Sequence, residues 1–381
     1  MKFFFNAPTK VYFGQINSDD LRNEIKNYGT NVILLSGGLA TQKIANEIKS
    51  LLEQFCNVHE FNGIQTNPLI EYIELMAEKI VSADVIITVG GGSVHDSGKA
   101  LAVALTHEQK LEKYMTDGEL SVPGIKKDVI PIITVPTIFG TGSEVSPAAL
   151  LKIENKKRVM FSSFLYPRAT FMDYTYIRSI PQELCINSSL DALVQGIESL
   201  VSSKAQTFSK RFSYSAIERS LRGILLYAKG DRTDEVLQEL ALASIESLYA
   251  VGQTTVGAAH AISDPLSGYF NIHHGAAVGA LLPYVIEVNY DYASEEYDNV
   301  KRMIEKLLDR SFSSVVEAIL VYYEEIGFDR KHLRKTINMT TFDITYKALI
   351  DESYNGDMEG NPRDLDDGMI GYILDKTFGA D

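Results

Sequence analysis

Cysteine is scarce. The 381 residues hold only Cys56 and Cys185, far apart and in no CxxC pair, which argues against a disulfide framework or a structural zinc finger and fits a reducing compartment. Positive charge is also short: 36 basic residues stand against 50 acidic ones, a formal net charge of −14. Nucleic acid and anionic membrane surfaces both call for a basic patch, so neither is expected as the main partner, and the acidity serves solubility. No uninterrupted apolar run reaches the length of a membrane span. The opening Met1-Lys2-Phe3-Phe4-Phe5 is too short for a signal peptide, and Asn6-Ala7-Pro8 ends it. The expectation is a cytoplasmic protein. What the chain does have is a 45% hydrophobic content, ample for a large core and two domains.

The stretch from Asp84 to Ala100 organises the rest. Val85 to Val89 is an apolar, β-branched run of strand length, Gly90-Gly91-Gly92 follows, and Ser93 opens a helical pattern with Val94, Ala100, Leu101 and Ala104 on its apolar positions. Strand, glycine turn and helix start point several backbone N–H groups and a helix dipole at one spot, where an anion can approach closely. The glycines alone fit a tight βα turn with no ligand equally well. Ser93, Asp96 and Lys99 add polar groups to the first turns, which favours a nucleotide-phosphate loop.

Strand signals at Val11–Phe13, Asn31–Leu35, Val58–Phe61 and Val129–Val135 alternate with helical patterns around residues 44–52 and 67–80. This predicts a parallel sheet with helices on both faces, which binds ligands beyond the carboxyl ends of its strands. Ser36-Gly37-Gly38 breaks the second strand there. Residues 109–128 are charged and irregular and read as a surface loop. After Val135 comes Pro136-Thr137-Ile138-Phe139-Gly140-Thr141-Gly142-Ser143-Glu144, a hydroxyl-rich turn able to wrap a ligand, though an ordinary loop can look the same. Ala149–Ile153 and Arg158–Ser162 read as a hairpin. From Pro181 onward the pattern is helical, so the expected division is an α/β dinucleotide-binding domain over 1–180 and an all-α domain over 181–381.

In the helical half, Asn187 or Ser188 can cap a helix with Leu190, Leu193, Val194, Ile197 and Leu200 as its apolar stripe. Asp191, Gln195, Glu198 and Ser202 share a flanking face, which for this helix alone reads best as a solvated stripe. His260 and Asp264 lie one turn apart, with Pro265 expected to stop that helix, and His273-His274-Gly275 opens another. Three of the seven histidines thus fall within fifteen residues, beside helix ends and small residues. That makes a metal site an even match for an ordinary placement of the histidines.

The ordered motifs Gly90-Gly91-Gly92-Ser93…Asp96…Lys99, Pro136-Thr137…Gly140-Thr141-Gly142-Ser143-Glu144, Asp191-Ala192-Leu193…Ile197-Glu198, His260…His274-Gly275, Leu282-Pro283-Tyr284 and Asn361-Pro362-Arg363 resemble the iron-containing (group III) alcohol dehydrogenases over essentially the whole chain. The resemblance implies a nicotinamide cofactor held by Gly37, Gly38, Gly90, Gly91, Gly92, Ser93, Asp96, Lys99, Thr137, Thr141 and Ser143. It also implies a divalent metal, iron or zinc, on Asp191, His260 and His274, a small alcohol or carbonyl substrate, and a homodimer. Two positions depart from the pattern. Gln195 stands where the family usually has a metal-binding histidine, so it is expected to make at most a weak or water-mediated contact; the pocket is partly similar to that of glycerol dehydrogenases. Asp264 stands where many members have a histidine linked to proton transfer, so Asp264, with His273 beside the ligand histidine, is the catalytic candidate. No acid follows Ser36-Gly37-Gly38 to repel a ribose 2′-phosphate, which favours NADP over NAD. Two rival readings remain: a nucleotide-binding member with altered or lost metal-dependent activity, and a lyase similar to dehydroquinate synthases. The lyase would need a basic cluster at the metal, and the sequence shows none near 191–198 or 256–275.

Overall fold

The structure is a computed structural model that describes residues 5–116, 124–125, 128–154 and 156–379. Its contacts divide the chain into two compact units, Ala7–Ser179 and a unit made of Ile180–Asp381 with the residues up to Asn6.

The first unit is built on six parallel strands: β1 (Lys10–Phe13), β2 (Asn31–Ser36), β3 (Asn57–Phe61), β4 (Val85–Gly90), β5 (Ile132–Pro136) and β8 (Ala169–Met172), in the order β1-β8-β5-β4-β2-β3. Helices α1 (Ser18–Ile25), α2 (Leu39–Leu52), α3 (Ile70–Ala77) and α4 (Gly92–Ala104) connect them. Alternate side chains of each strand go to opposite faces. Val32, Leu34, Val85, Ile87, Ile133 and Val135 pack under α1 and α2 with Leu21, Ile25, Ala45 and Ile48. Ile33, Leu35, Ile86 and Ile132 pack under α3 and α4 with Ile73, Met76, Leu101 and Val103. After β2 the chain moves outward to β3 and then returns to the other side of β2 as β4. Helix α2, leaving β2, and α4, leaving β4, therefore lie on opposite faces of the sheet. This reversal is where a doubly wound sheet opens a crevice, and both glycine turns fall there.

The hairpin forms as an antiparallel pair, β6 (Ala148–Ile153) with β7 (Lys156–Phe161), in the register Ala148↔Phe161. Much of the expected surface loop at 109–128 lies outside the described residues. Of the remainder, Leu111–Tyr114 is a 3₁₀ turn with Leu111 and Tyr114 buried against the α3/α4 core, so that piece is not surface.

Among its described residues the second unit is helical: α5 (Gln182–Val201), α6 (Thr207–Ala228), α7 (Asp234–Thr254), α8 (Ala258–Phe270), α9 (His274–Asn289), α10 (Ser294–Leu308), α11 (Val315–Ile326), α12 (Arg330–Thr336), α13 (Met339–Glu352) and α14 (Asp367–Phe378). Phe5 joins it, with its ring 4.9 Å from that of Phe208 and 5.7 Å from that of Phe212. Three expectations are corrected here. Helix α5 starts at Gln182, directly after Pro181, so Asn187 and Ser188 are interior residues and not caps. The stripe of Asp191, Gln195, Glu198 and Ser202 is buried, each residue 1–6% exposed, because α7 covers Gln195 and Ser202 while α8 and α9 meet Asp191 and Glu198. Pro265 does not stop α8 but sits inside it. The hydrogen bond that a proline denies to the carbonyl four residues back is replaced: Asn355 Nδ2 donates to the Ala261 carbonyl at 3.0 Å. Pro283 inside α9 is handled the same way, with the Tyr323 hydroxyl donating to the Gly279 carbonyl at 2.7 Å. Among the described residues, no helix is long and apolar enough to cross a membrane.

Candidate functional site

In the helical unit, Asp191, His260 and His274 converge. Asp191 is on the buried face of α5, His260 is in the first turn of α8, and His274 is the first residue of α9. Each offers one ligand atom, and these atoms lie within 4.8 Å of one another. His260 Nε2 is 3.1 Å from Asp191 Oδ1, and His274 Nε2 is 4.0 Å from the same oxygen. Helix α9 can come this close because residue 275 is glycine: a Cβ there would run into the Asn187 carbonyl of α5.

The ring orientations are set from behind. Glu198, two turns after Asp191 on α5, accepts at 2.5 Å from His260 Nδ1. Its two oxygens also accept from the N–H groups of Gly257 and Ala259 at the start of α8, at 3.0 and 2.6 Å. With Nδ1–H given to Glu198, Nε2 is the nitrogen left to face Asp191. Ser263 does the same for His274: its hydroxyl donates to the His260 carbonyl at 2.9 Å and lies 3.3 Å from His274 Nδ1, from which it can accept. Such outer partners fix tautomers at metal sites. Burial alone would push His260 down, but Glu198 and Asp191 outweigh it and hold the imidazole well above its usual value. Burial likewise opposes ionisation of Asp191, and the histidines around it reverse that, leaving the carboxyl below its usual range. The carboxylate and two oriented imidazoles are a donor set that fits a divalent ion such as iron or zinc, with positions left for other ligands.

The neighbouring candidates fall as follows. Gln195 is buried, with Nε2 donating to Asp191 Oδ1 at 3.0 Å and Oε1 accepting from the Ser247 hydroxyl at 2.8 Å. Asp264 is half-buried, one turn beyond His260 on α8. His273 is exposed ahead of α9, its Nε2 3.4 Å from the Ser188 hydroxyl. In sequence Glu198 was visible on the face it shares with Asp191 and as part of a family motif, but neither gave it a role; the two-turn spacing that stacks it behind Asp191 is a signal that could have. Nothing in the sequence marked Ser263 or Ser247.

The α/β unit brings its own candidates together at the carboxyl ends of β2, β4 and β5. Gly91 caps α4, whose first N–H groups lack helical partners. The hydroxyl-rich turn folds onto the glycines: Thr137 N–H donates to the Gly90 carbonyl at 2.9 Å, and a Cβ on Gly92 would come 2.9 Å from Thr141 Oγ1. Ser93 Oγ accepts from the Asn67 N–H at 3.3 Å, and Gly37 N–H reaches the Val89 carbonyl at 3.4 Å, while Gly38 opens on free space at the start of α2. Lys99 and Asp96 differ from the sequence reading. Lys99 is wholly buried, and its three ammonium protons go to the Ser143 carbonyl, the Ser143 hydroxyl and the Ala148 carbonyl at 2.6–2.8 Å. The Ser143 hydroxyl, in turn, is 2.6 Å from Asp96 Oδ1. Burial pushes Lys99 down to about 8 and Asp96 up. These three residues brace the hydroxyl-rich turn against α4 and leave Lys99 no proton to give a phosphate.

Residues 8–174 match the family described as iron-containing alcohol dehydrogenase, and residues 185–378 match the C-terminal part of the same family. The chain is similar to an alcohol dehydrogenase of Thermococcus barophilus, 28% identical over 85% of this chain and 86% of that one. It is also similar to lactaldehyde reductase of Escherichia coli, 26% identical over 80% of each. Its fold matches the iron-containing alcohol dehydrogenase of Thermococcus thioreducens with a TM-score of 0.88 at 26% identity, covering 99% of this chain and 100% of that one. Matched along both units, the chain belongs to the iron-containing alcohol dehydrogenase family and is a metal-dependent alcohol or aldehyde oxidoreductase.

Proposed function

We propose that the protein interconverts a small alcohol and its carbonyl compound with NADP(H), using a divalent metal on Asp191, His260 and His274. The observation that carries this reading is the triad itself, each imidazole held with Nε2 inward by its own buried partner. A metal in such a set supplies Lewis-acid polarisation of the substrate oxygen, and the nicotinamide supplies or accepts the hydride. The chain's share is binding and orientation. The N–H groups of Gly91, Gly92 and Ser93 receive the cofactor pyrophosphate at the start of α4, with Gly37, Gly38, Thr137 and Thr141 bordering it. Lys99, Asp96 and Ser143 hold that border in place. Asp264 receives or returns the substrate proton, with His273 at the pocket edge, and its charge disfavours acidic substrates. The preference for NADP rests on the turn after β2, which carries Gly37 and Gly38 and no carboxylate to repel a 2′-phosphate. The homodimer is supported by β1, an edge strand that leaves Val11 and Phe13 more than a third exposed.

The deciding experiment reads cofactor oxidation over a panel of neutral aldehydes and ketones, with metal content measured on anaerobically prepared protein. Steady turnover, faster with NADPH than NADH, is expected, together with loss of metal and turnover in His274→Ala and loss of cofactor binding in folded Gly91→Val. Faster turnover with NADH would refute the cofactor preference. Cofactor binding without turnover on any substrate, with iron, zinc or manganese supplied, would refute the activity in favour of the non-catalytic reading.

A further inference from the structure

Gln195 has two ways to satisfy its surroundings. Its Nε2 is 3.0 Å from Asp191 Oδ1 and its Oε1 is 2.8 Å from Ser247 Oγ, while Ser247 Oγ is also 3.0 Å from the Ser244 carbonyl. Ser247 has one proton and two acceptors in reach. A carboxamide presents oxygen and NH2 in nearly the same outline, so a half turn about its terminal bond exchanges them without moving the chain. In one arrangement the NH2 donates to Asp191 and Ser247 donates to the amide oxygen. In the other, Ser247 donates to the Ser244 carbonyl and accepts from the amide NH2, and the amide oxygen faces Asp191.

Charge decides between them. Two oxygens about 3 Å apart, one of them on an ionised carboxylate, repel in a buried site, so the second arrangement is disfavoured in the metal-free protein, where the His260 ring already partners Asp191 Oδ1 at 3.1 Å. A cation there reverses the balance, because an inward NH2 meets it positive end first and an inward oxygen meets it with a lone pair. We infer that Gln195 is a cation-responsive ligand: metal binding at Asp191, His260 and His274 turns the amide so that Oε1 joins the ligand set, and Ser247 takes up the NH2. The inference rests on the metal reading of that triad. It gives a site of two oxygens and two imidazoles, harder than one oxygen and three imidazoles, and shifts preference from zinc toward manganese or ferrous iron.

Metal-free protein titrated calorimetrically with Mn²⁺ and Zn²⁺ tests this without reference to turnover. If the amide only competes for Asp191, Gln195→Leu frees that carboxylate and binds metal as tightly as the parent or more so. If the amide oxygen is a ligand, Gln195→Leu loses at least about tenfold in Mn²⁺ affinity, the usual loss on removing even an outer partner of a ligand. Gln195→His should move the preference toward Zn²⁺. On zinc loading, nuclear Overhauser contacts from the Gln195 NH2 to the Ser247 Cβ protons should strengthen, and no gain overturns the turning of the amide. Unchanged or tighter Mn²⁺ binding by Gln195→Leu, folded by circular dichroism, overturns the ligand role. A His274→Ala isotherm identical to the parent's would instead remove the triad itself, so the two failures are distinct.

Discussion

Glu198 shows how much one side chain can hold in place. It accepts from two backbone N–H groups at the start of α8 and from the ring of His260, which it can do because α5 carries it two turns beyond Asp191 on the same buried face. Replacing it with glutamine keeps the shape but puts an NH2 where an acceptor is needed. Glu198→Gln should therefore weaken metal binding by roughly 10–100-fold while leaving cofactor affinity as it was, read by titrating metal and NADPH separately. Equal metal affinity would show that the tautomer of His260 does not depend on this carboxylate. At this scale the sequence was partly legible. His260 and His274 stood out as histidines beside helix ends and small residues, whereas Asp191, read from its own helix, looked like part of a solvated stripe and entered the site only through the family resemblance. Ser247 and Ser263 did not stand out, because a serine far away in sequence becomes a partner only once helices pack. Lys99 misled because a lysine beside a glycine turn looks like a phosphate ligand, and only its burial against Ser143 and Ala148 shows that its protons are taken.

Among elements, the strand–turn–helix alternation was readable because parallel strands buried on both faces appear as continuous apolar runs. Helix boundaries were less so. Pro265 and Pro283 sit inside helices, since the carbonyls they strand are met by Asn355 and Tyr323, on segments 90 and 40 residues later in the chain. Local sequence carries no sign of such distant repair. The repair can be measured. Tyr323→Phe should leave the buried Gly279 carbonyl short of a donor and cost about 1–3 kcal/mol in urea unfolding. Adding Pro283→Ala restores an N–H at the position that bonds Gly279 within the helix, so the double variant should recover much of that loss. Strictly additive losses would mean that the hydroxyl and the proline are not coupled.

For the whole molecule, the consequential feature is where Phe5 lies. Its ring packs among Phe208, Phe212 and Tyr249 of the helical unit, although the next residues enter the α/β unit. Removing that ring should loosen the helical unit first: Phe5→Ala should raise amide exchange in α6 and α7 and leave the strands of the sheet unchanged. Faster exchange in β4 and β5 instead would place the effect elsewhere. In the order of the chain, the α/β unit is thus a guest, entered from and returned to the same host. A guest of this kind invites excision: joining Asn6 to Ile180 through a glycine–serine bridge would leave the host's chain continuous, with its aromatic cluster and with Asp191, His260 and His274. Separated, the two halves would let metal capture and nucleotide capture be studied as independent events.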